Sequence, residues 1–125
     1  MQKFSKISLR RLNTCNPKLQ YLFKEVVKHF DCSIIEGKRS LKRQKELLKD
    51  GATKTLNSEH LSGRAVDVYP YPVDFEDRDR WHYFGGYVLG TAKQFGIDLI
   101  WGGDWNNDTK TKDNTYDDLC HYELR

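Results

Sequence analysis

Two histidines and one aspartate hold most of the chemical potential in this sequence. His60 lies in Ser58-Glu59-His60-Leu61-Ser62-Gly63-Arg64-Ala65-Val66-Asp67, a loop that runs into a strand, and His121 lies in the closing segment. Two imidazoles and a carboxylate match the donor count of a catalytic zinc site, which takes three N or O ligands at ~2.0–2.2 Å and keeps a fourth position for water. Seven residues of extended chain between His60 and Asp67 would span ~23 Å, so both reach one ion only if the chain reverses, and Gly63 permits the reversal. The plainer reading is a hydrogen-bonded or separately solvated His-Asp pair. His121 is the favoured third ligand, whereas His29 and His82 suit structural or solvent-facing roles.

A hydrolytic site also needs a proton acceptor within hydrogen-bond reach of the attacking water. Asp118 stands three residues before His121. In a regular strand the two would face opposite sides, so a shared site requires Asp118 to occupy the turn before the strand. The alternative is a solvated loop carboxylate. Asp117 and Glu123 are rivals, and Glu123 could instead orient His121 through its second ring nitrogen. Arg39, after Gly37 and Lys38, suits either a substrate carbonyl or carboxylate or an ordinary surface ion pair. Trp101 and Trp105 bracket Gly102-Gly103-Asp104 and either finish a core or wall a groove.

These groups need a scaffold. Asn16 and Pro17 read as N-cap and first helical position, and Leu19, Leu22, Phe23, Val26, Val27 and Phe30 follow at helical spacing. Residues 33–36 form a short apolar run closed by Gly37, which predicts a strand. Ser40 caps a second helix that Gly51 ends, with Leu41, Gln44 and Leu48 on one face; Gln44 is then an inward amide that must find partners. Residues 52–58 read as loop. Residues 65–69 alternate and stop at Pro70-Tyr71-Pro72, which predicts a strand with Asp67 opposite Val66 and Val68. Asp74 caps a third helix whose stripe runs Trp81, Phe84, Val88, Ala92 and Phe95 and ends at Gly96. Residues 97–101 read as strand, 102–117 as a polar loop, and 119–124 as a last strand with Leu119, His121 and Glu123 on one face. Helices interleaved with short strands, and a hairpin between the late strands, give the α+β class.

At 125 residues the chain is one domain, set against ~100–200 residues per domain. Its 38% hydrophobic residues give a modest interior, which the 13% of aromatics supplement, and disorder is excluded as the default. A net charge of +3 is too weak to argue for nucleic acid. No apolar run reaches the ~18 residues of a membrane span. The basic start over residues 1–11 is not followed by an apolar stretch and cleavage site, so no signal peptide is expected. Three widely spaced cysteines, Cys15, Cys32 and Cys120, predict free thiols from a reducing compartment.

Taken together, Ser58-x-His60-x-x-Gly63-x-Ala65-x-Asp67, Trp101-Gly102-Gly103-Asp104-Trp105 and Asp118-x-x-His121-Tyr122-Glu123-Leu124 resemble the zinc D-alanyl-D-alanine carboxypeptidases and L-alanyl-D-glutamate endopeptidases, phage endolysins most of all. Gly37-Lys38-Arg39-Ser40 with Gln44 and Leu47 resembles the segment ahead of that family's metal motif. The resemblance implies a small antiparallel sheet packed with helices, of the hedgehog and DD-peptidase type, with residues 1–125 as a single catalytic domain. It implies His60, Asp67 and His121 as zinc ligands, Asp118 as catalytic base, Arg39 as oxyanion stabiliser, and Gln44, Ser58 and Trp105 beside the substrate. The implied activity is hydrolysis of the L-Ala-D-Glu bond in the peptidoglycan stem peptide by a monomer that gathers in the host cytoplasm and is released to the wall. D-Ala-D-Ala carboxypeptidase or dipeptidase activity is the alternative within enzymes, and a silent zinc-stabilised wall-binding domain the alternative outside them. Two departures stand out. Cys120 occupies a position where members often carry Pro, and the loop between Trp105 and Asp118 is longer than in many relatives. On strand alternation Cys120 points away from the metal.

Overall fold

The computed structural model describes residues 2–52, 55, 58–114 and 116–125. In chain order these form α1 (Lys6–Leu12), α2 (Pro17–Val27), β1 (Cys32–Glu36), α3 (Leu41–Lys49), a 3-10 turn (Glu59–Ser62), β2 (Ala65–Pro70), α4 (Arg78–Gln94), β3 (Leu99–Gly102) and β4 (Asp118–Leu124). The four strands make one sheet in the order β1-β2-β4-β3, with every neighbouring pair antiparallel. This is the α+β arrangement that the pattern predicts.

One face of the sheet carries the core. Ile34, Val66, Val68, Trp101, Tyr122 and Leu124 pack there against Leu19, Leu22, Phe23 and Val26 of α2 and Phe84, Val88 and Ala92 of α4. Period-2 alternation in the strands and a 3.6-residue stripe in each helix make these surfaces fit. The alternate strand positions, Asp67, His121 and Glu123 among them, are therefore left for the opposite face.

The boundaries differ from expectation in ways that have local causes. The basic start contains a helix whose few buried residues leave no apolar stripe to read. Ser5 caps α1 by accepting from Ser8 N–H at 3.1 Å. α1 covers the outer edge of β1, where Ser8 Oγ accepts from Ile34 N–H at 3.0 Å and Arg11 Nη1 donates to Ile34 O at 3.1 Å. An edge strand with its backbone groups satisfied in this way is closed to pairing with another chain. α2 ends at Val27, short of Phe30, whose ring still packs edge-on to Phe84 at 4.9 Å. Asp77, not Asp74, caps α4 by accepting from Arg80 N–H at 3.2 Å. Asp74 serves the preceding turn, and its carbonyl accepts from Trp81 Nε1. Phe95 lies outside the core, edge-on to Tyr21. In α3 the face inverts the hydrophobic expectation: Leu41 and Leu48 are exposed while Gln44 is fully buried. All three cysteines are free.

Two irregularities shape the sheet. In β1 the register slips between Ile34 and Glu36, so Ile34 pairs with Val68 and Glu36 with Asp67. In β4 Tyr122 pairs with Trp101 but Asp118 with Gly102, which leaves Leu119, Cys120 and His121 as extra residues. A bulge of this kind shifts which face later side chains take. Leu119 accordingly packs against the core, not beside His121 as simple alternation predicts. The β4 bulge requires close contact at Gly102, where a Cβ would meet the Asp118 carbonyl. Gly102→Ala is expected to cost about 1–3 kcal/mol by forcing these strands apart. The cost is read as a lower urea midpoint at unchanged slope.

Candidate active site

Sheet register assembles the centre. Glu36, Asp67 and His121 are directly opposite one another across β1, β2 and β4, and directly paired residues share a face. Glu123 lies two residues further along β4, on the same face as His121. His60 arrives from the 3-10 turn. Ser58 caps that turn by accepting from His60 N–H at 3.2 Å, and Gly63 ends it in the left-handed region at φ 75°. That glycine supplies the chain reversal that lets His60 face Asp67.

His60 Nε2 lies 3.2 Å and His121 Nδ1 3.4 Å from the same oxygen, Asp67 Oδ1. The three ligand atoms lie within 4.8 Å of one another. The outward nitrogens are already engaged: His60 Nδ1 lies 3.0 Å from the Gly37 carbonyl and His121 Nε2 2.7 Å from Glu123 Oε1. A carbonyl and a carboxylate accept only, so both outward nitrogens carry the proton. Each neutral ring then aims a lone pair at a carboxylate oxygen, with no donor among the three. Only protons or a cation relieve that arrangement, and two imidazoles with a carboxylate fit a metal ion. A proton on His121 is favoured by the same arrangement. Burial disfavours the charged form of His121, but the hydrogen bonds to Asp67 and Glu123 outweigh it and raise the imidazole to about 9. Burial likewise pushes Asp67 up, but His121 and His60 prevail and hold it at about 2.

The centre opens into a cleft of about 770 Å³ whose walls include Glu36, Arg39, Ser58, Trp105, Tyr116 and Asp118. Asp118 belongs to β4 itself and not to a preceding turn. The bulge places it opposite Gly102, which alternates with the core-facing Trp101, and so turns its carboxylate to the face of His121. Burial and the neighbouring charge of Asp67 raise its pKa. Cys120 does not point away from this side as alternation predicts, because its Sγ donates to Asp118 Oδ1 at 3.3 Å. Arg39 is only 8% exposed and engages Glu36 through Nε at 2.8 Å and Nη2 at 2.7 Å.

Gln44 corrects the expectation of substrate contact. Its Oε1 accepts from Arg39 Nη1 at 2.7 Å and its Nε2 donates to the Thr55 carbonyl, so this buried amide holds Arg39 from behind. Ser58 spends its hydroxyl as the cap described above, and lines the cleft besides. Trp105 lies over the His121 ring, with centroids 5.4 Å apart, and its Nε1 donates to the Tyr116 carbonyl. Trp101 finishes the core. Asp117 is turned to Arg78 and Asn114, out of the cleft. Sequence reasoning overlooked Glu36 and the Gly37 carbonyl. A carboxylate three residues before an arginine is an available signal for the first; the second is a backbone group and leaves none.

A His-Asp-His centre on one face of a four-stranded antiparallel sheet, beside a buried carboxylate and an arginine in one cleft, defines a metal-dependent hydrolase. The family model for phage L-alanyl-D-glutamate peptidases matches residues 1–124, and the chain belongs to that family. It is an L-alanyl-D-glutamate peptidase. Among solved structures it is similar to the Serratia marcescens L-Ala D-Glu endopeptidase ChiX, with 28% identity and a TM-score of 0.78 over 99% of this chain and 91% of the other. No curated protein matches.

Two outcomes test the centre. Glu123→Ala removes the acceptor that fixes His121 and is expected to weaken metal affinity about 10–100-fold, measured by chelator competition. Because His121 must lose its proton to bind a cation and titrates near 9, metal uptake at pH 7 is expected to release a proton. Calorimetry in buffers of different ionisation enthalpy measures it. The metal-free fold has the opposite sign of dependence: the stability gained from the raised His121 is complete below about 6.5 and is lost as pH rises through 9.

Proposed function

We propose that this peptidase is zinc-dependent and cuts the stem peptide of bacterial peptidoglycan between L-Ala and D-Glu, with His60, Asp67 and His121 holding the metal. The observation that carries the reading is the cluster of three inward lone-pair donors in the same cleft as Asp118 and Arg39. A bound zinc ion would supply Lewis-acid polarisation and lower the pKa of water toward ~7. The chain's own groups do the rest.

Asp118 accepts the proton of the attacking water and returns it to the departing amine. A free Asp titrates near ~3.9 and holds a proton poorly at neutral pH. Burial beside Asp67 shifts Asp118 in the useful direction. Arg39 spends three of its five N–H donors on Glu36 and Gln44 and keeps two for the oxygen on which charge develops. Trp105 walls the cleft beside His121. The enzyme acts as a monomer, accumulates in the host cytoplasm and reaches the wall on release; no helix among the described residues is long and apolar enough to cross a membrane.

The test is digestion of purified peptidoglycan by the zinc-loaded protein, with fragments identified by mass. Peptides beginning with D-Glu are expected. Free D-Ala would identify a carboxypeptidase instead, and no fragments at verified zinc occupancy a silent binder. Asp118→Asn is expected to keep zinc and lose about 10²–10⁴ in turnover.

A further inference from the structure

Arg39 stands in the cleft under an unusual constraint. The β1 bulge takes Glu36 out of ordinary alternation, which would send it to the core face, and sets it opposite Asp67. From there both carboxylate oxygens grip Nε and Nη2 of Arg39 at 2.8 and 2.7 Å, while buried Gln44 takes Nη1 at 2.7 Å. The guanidinium is held in one plane from two sides. Its formal charge is matched by a carboxylate that also lines the cleft. A fork–fork pair of this kind fixes direction as well as distance. A guanidinium so paired offers two oriented N–H groups but little net attraction for an anion. The stem peptide carries carboxylates, and a free arginine would hold them in the ground state, which does not accelerate the chemical step.

We propose that Glu36 is a positioning residue that makes Arg39 a directional donor to the reacting oxygen instead of a binding site for the substrate's carboxylates. The inference rests on the peptidase reading above. Without Glu36 the guanidinium keeps only its Gln44 contact, gains anion affinity and loses aim, so KM and kcat move apart.

The experiment is a double-mutant cycle on the zinc-loaded full chain with a stem peptide as substrate. Glu36→Gln is expected to lower kcat about tenfold or more, to leave KM unchanged or lower, and to leave zinc affinity unchanged. Added to Arg39→Ala, it is expected to cost nothing further, because Glu36 acts through Arg39. Glu36→Asp is expected to restore part of the loss, and it takes the place of Glu36→Gln in the cycle should the latter not fold. An unchanged kcat, a raised KM, or a full additional loss in the Arg39→Ala background would overturn the inference. The wild-type protein is the separate control: if it leaves the stem peptide intact, the peptidase reading fails before the cycle is read.

Discussion

Three electron-rich atoms, two ring nitrogens and one carboxylate oxygen, are held face to face with no hydrogen between them once both rings are neutral. Everything near the centre serves to keep that unfavourable geometry in place. The Gly37 carbonyl and Glu123 seize the outer ring nitrogens and so dictate the inner ones. Trp105 lies over His121 and leaves its ring little freedom. With neutral rings such a site favours a cation, and cation binding there competes with the proton that His121 otherwise holds.

The scaffold meets this demand through irregularity more than through regular structure. A perfect sheet would put Asp118 and Glu36 on the core face, among Val66, Val68 and Tyr122. Two slips in register, one in β1 and one in β4, turn each of them to the side of Asp67. The core face is undisturbed because Ile34, Trp101 and Tyr122 keep their places. The same sheet thus separates a dry hydrophobic layer from a charged one across a single backbone thickness.

Much of this is legible in the chain. Alternation around Asp67, helical spacing in α2 and α4, the cap at Asn16 and the reversal at Gly63 each follow from residue type and local sterics, and they suffice to bring His60 toward Asp67. What alternation misses is wherever it breaks. Leu119, Cys120 and Asp118 all change side at the β4 bulge, which depends on Gly102 meeting the Asp118 backbone and so on a partner strand sixteen residues away. α1 is hidden because its buried residues are only Ser8 and Leu12, too few to mark a stripe. Gln44 is legible as an inward amide, but its partners lie on other segments, so its task as a brace emerges only in three dimensions.

The N-terminal helix adds a dependency that its distance from the cleft conceals. Gly37, whose carbonyl orients His60, fits so closely beneath the Arg11 carbonyl and Thr14 Oγ1 that no side chain has room there. Thr14 Oγ1 also accepts from Lys38 N–H at 2.8 Å. The opening helix and its following turn therefore act as a clamp on the ligand's anchor, and a hydrolase trimmed to its recognisable motifs would forfeit the footing of its first imidazole.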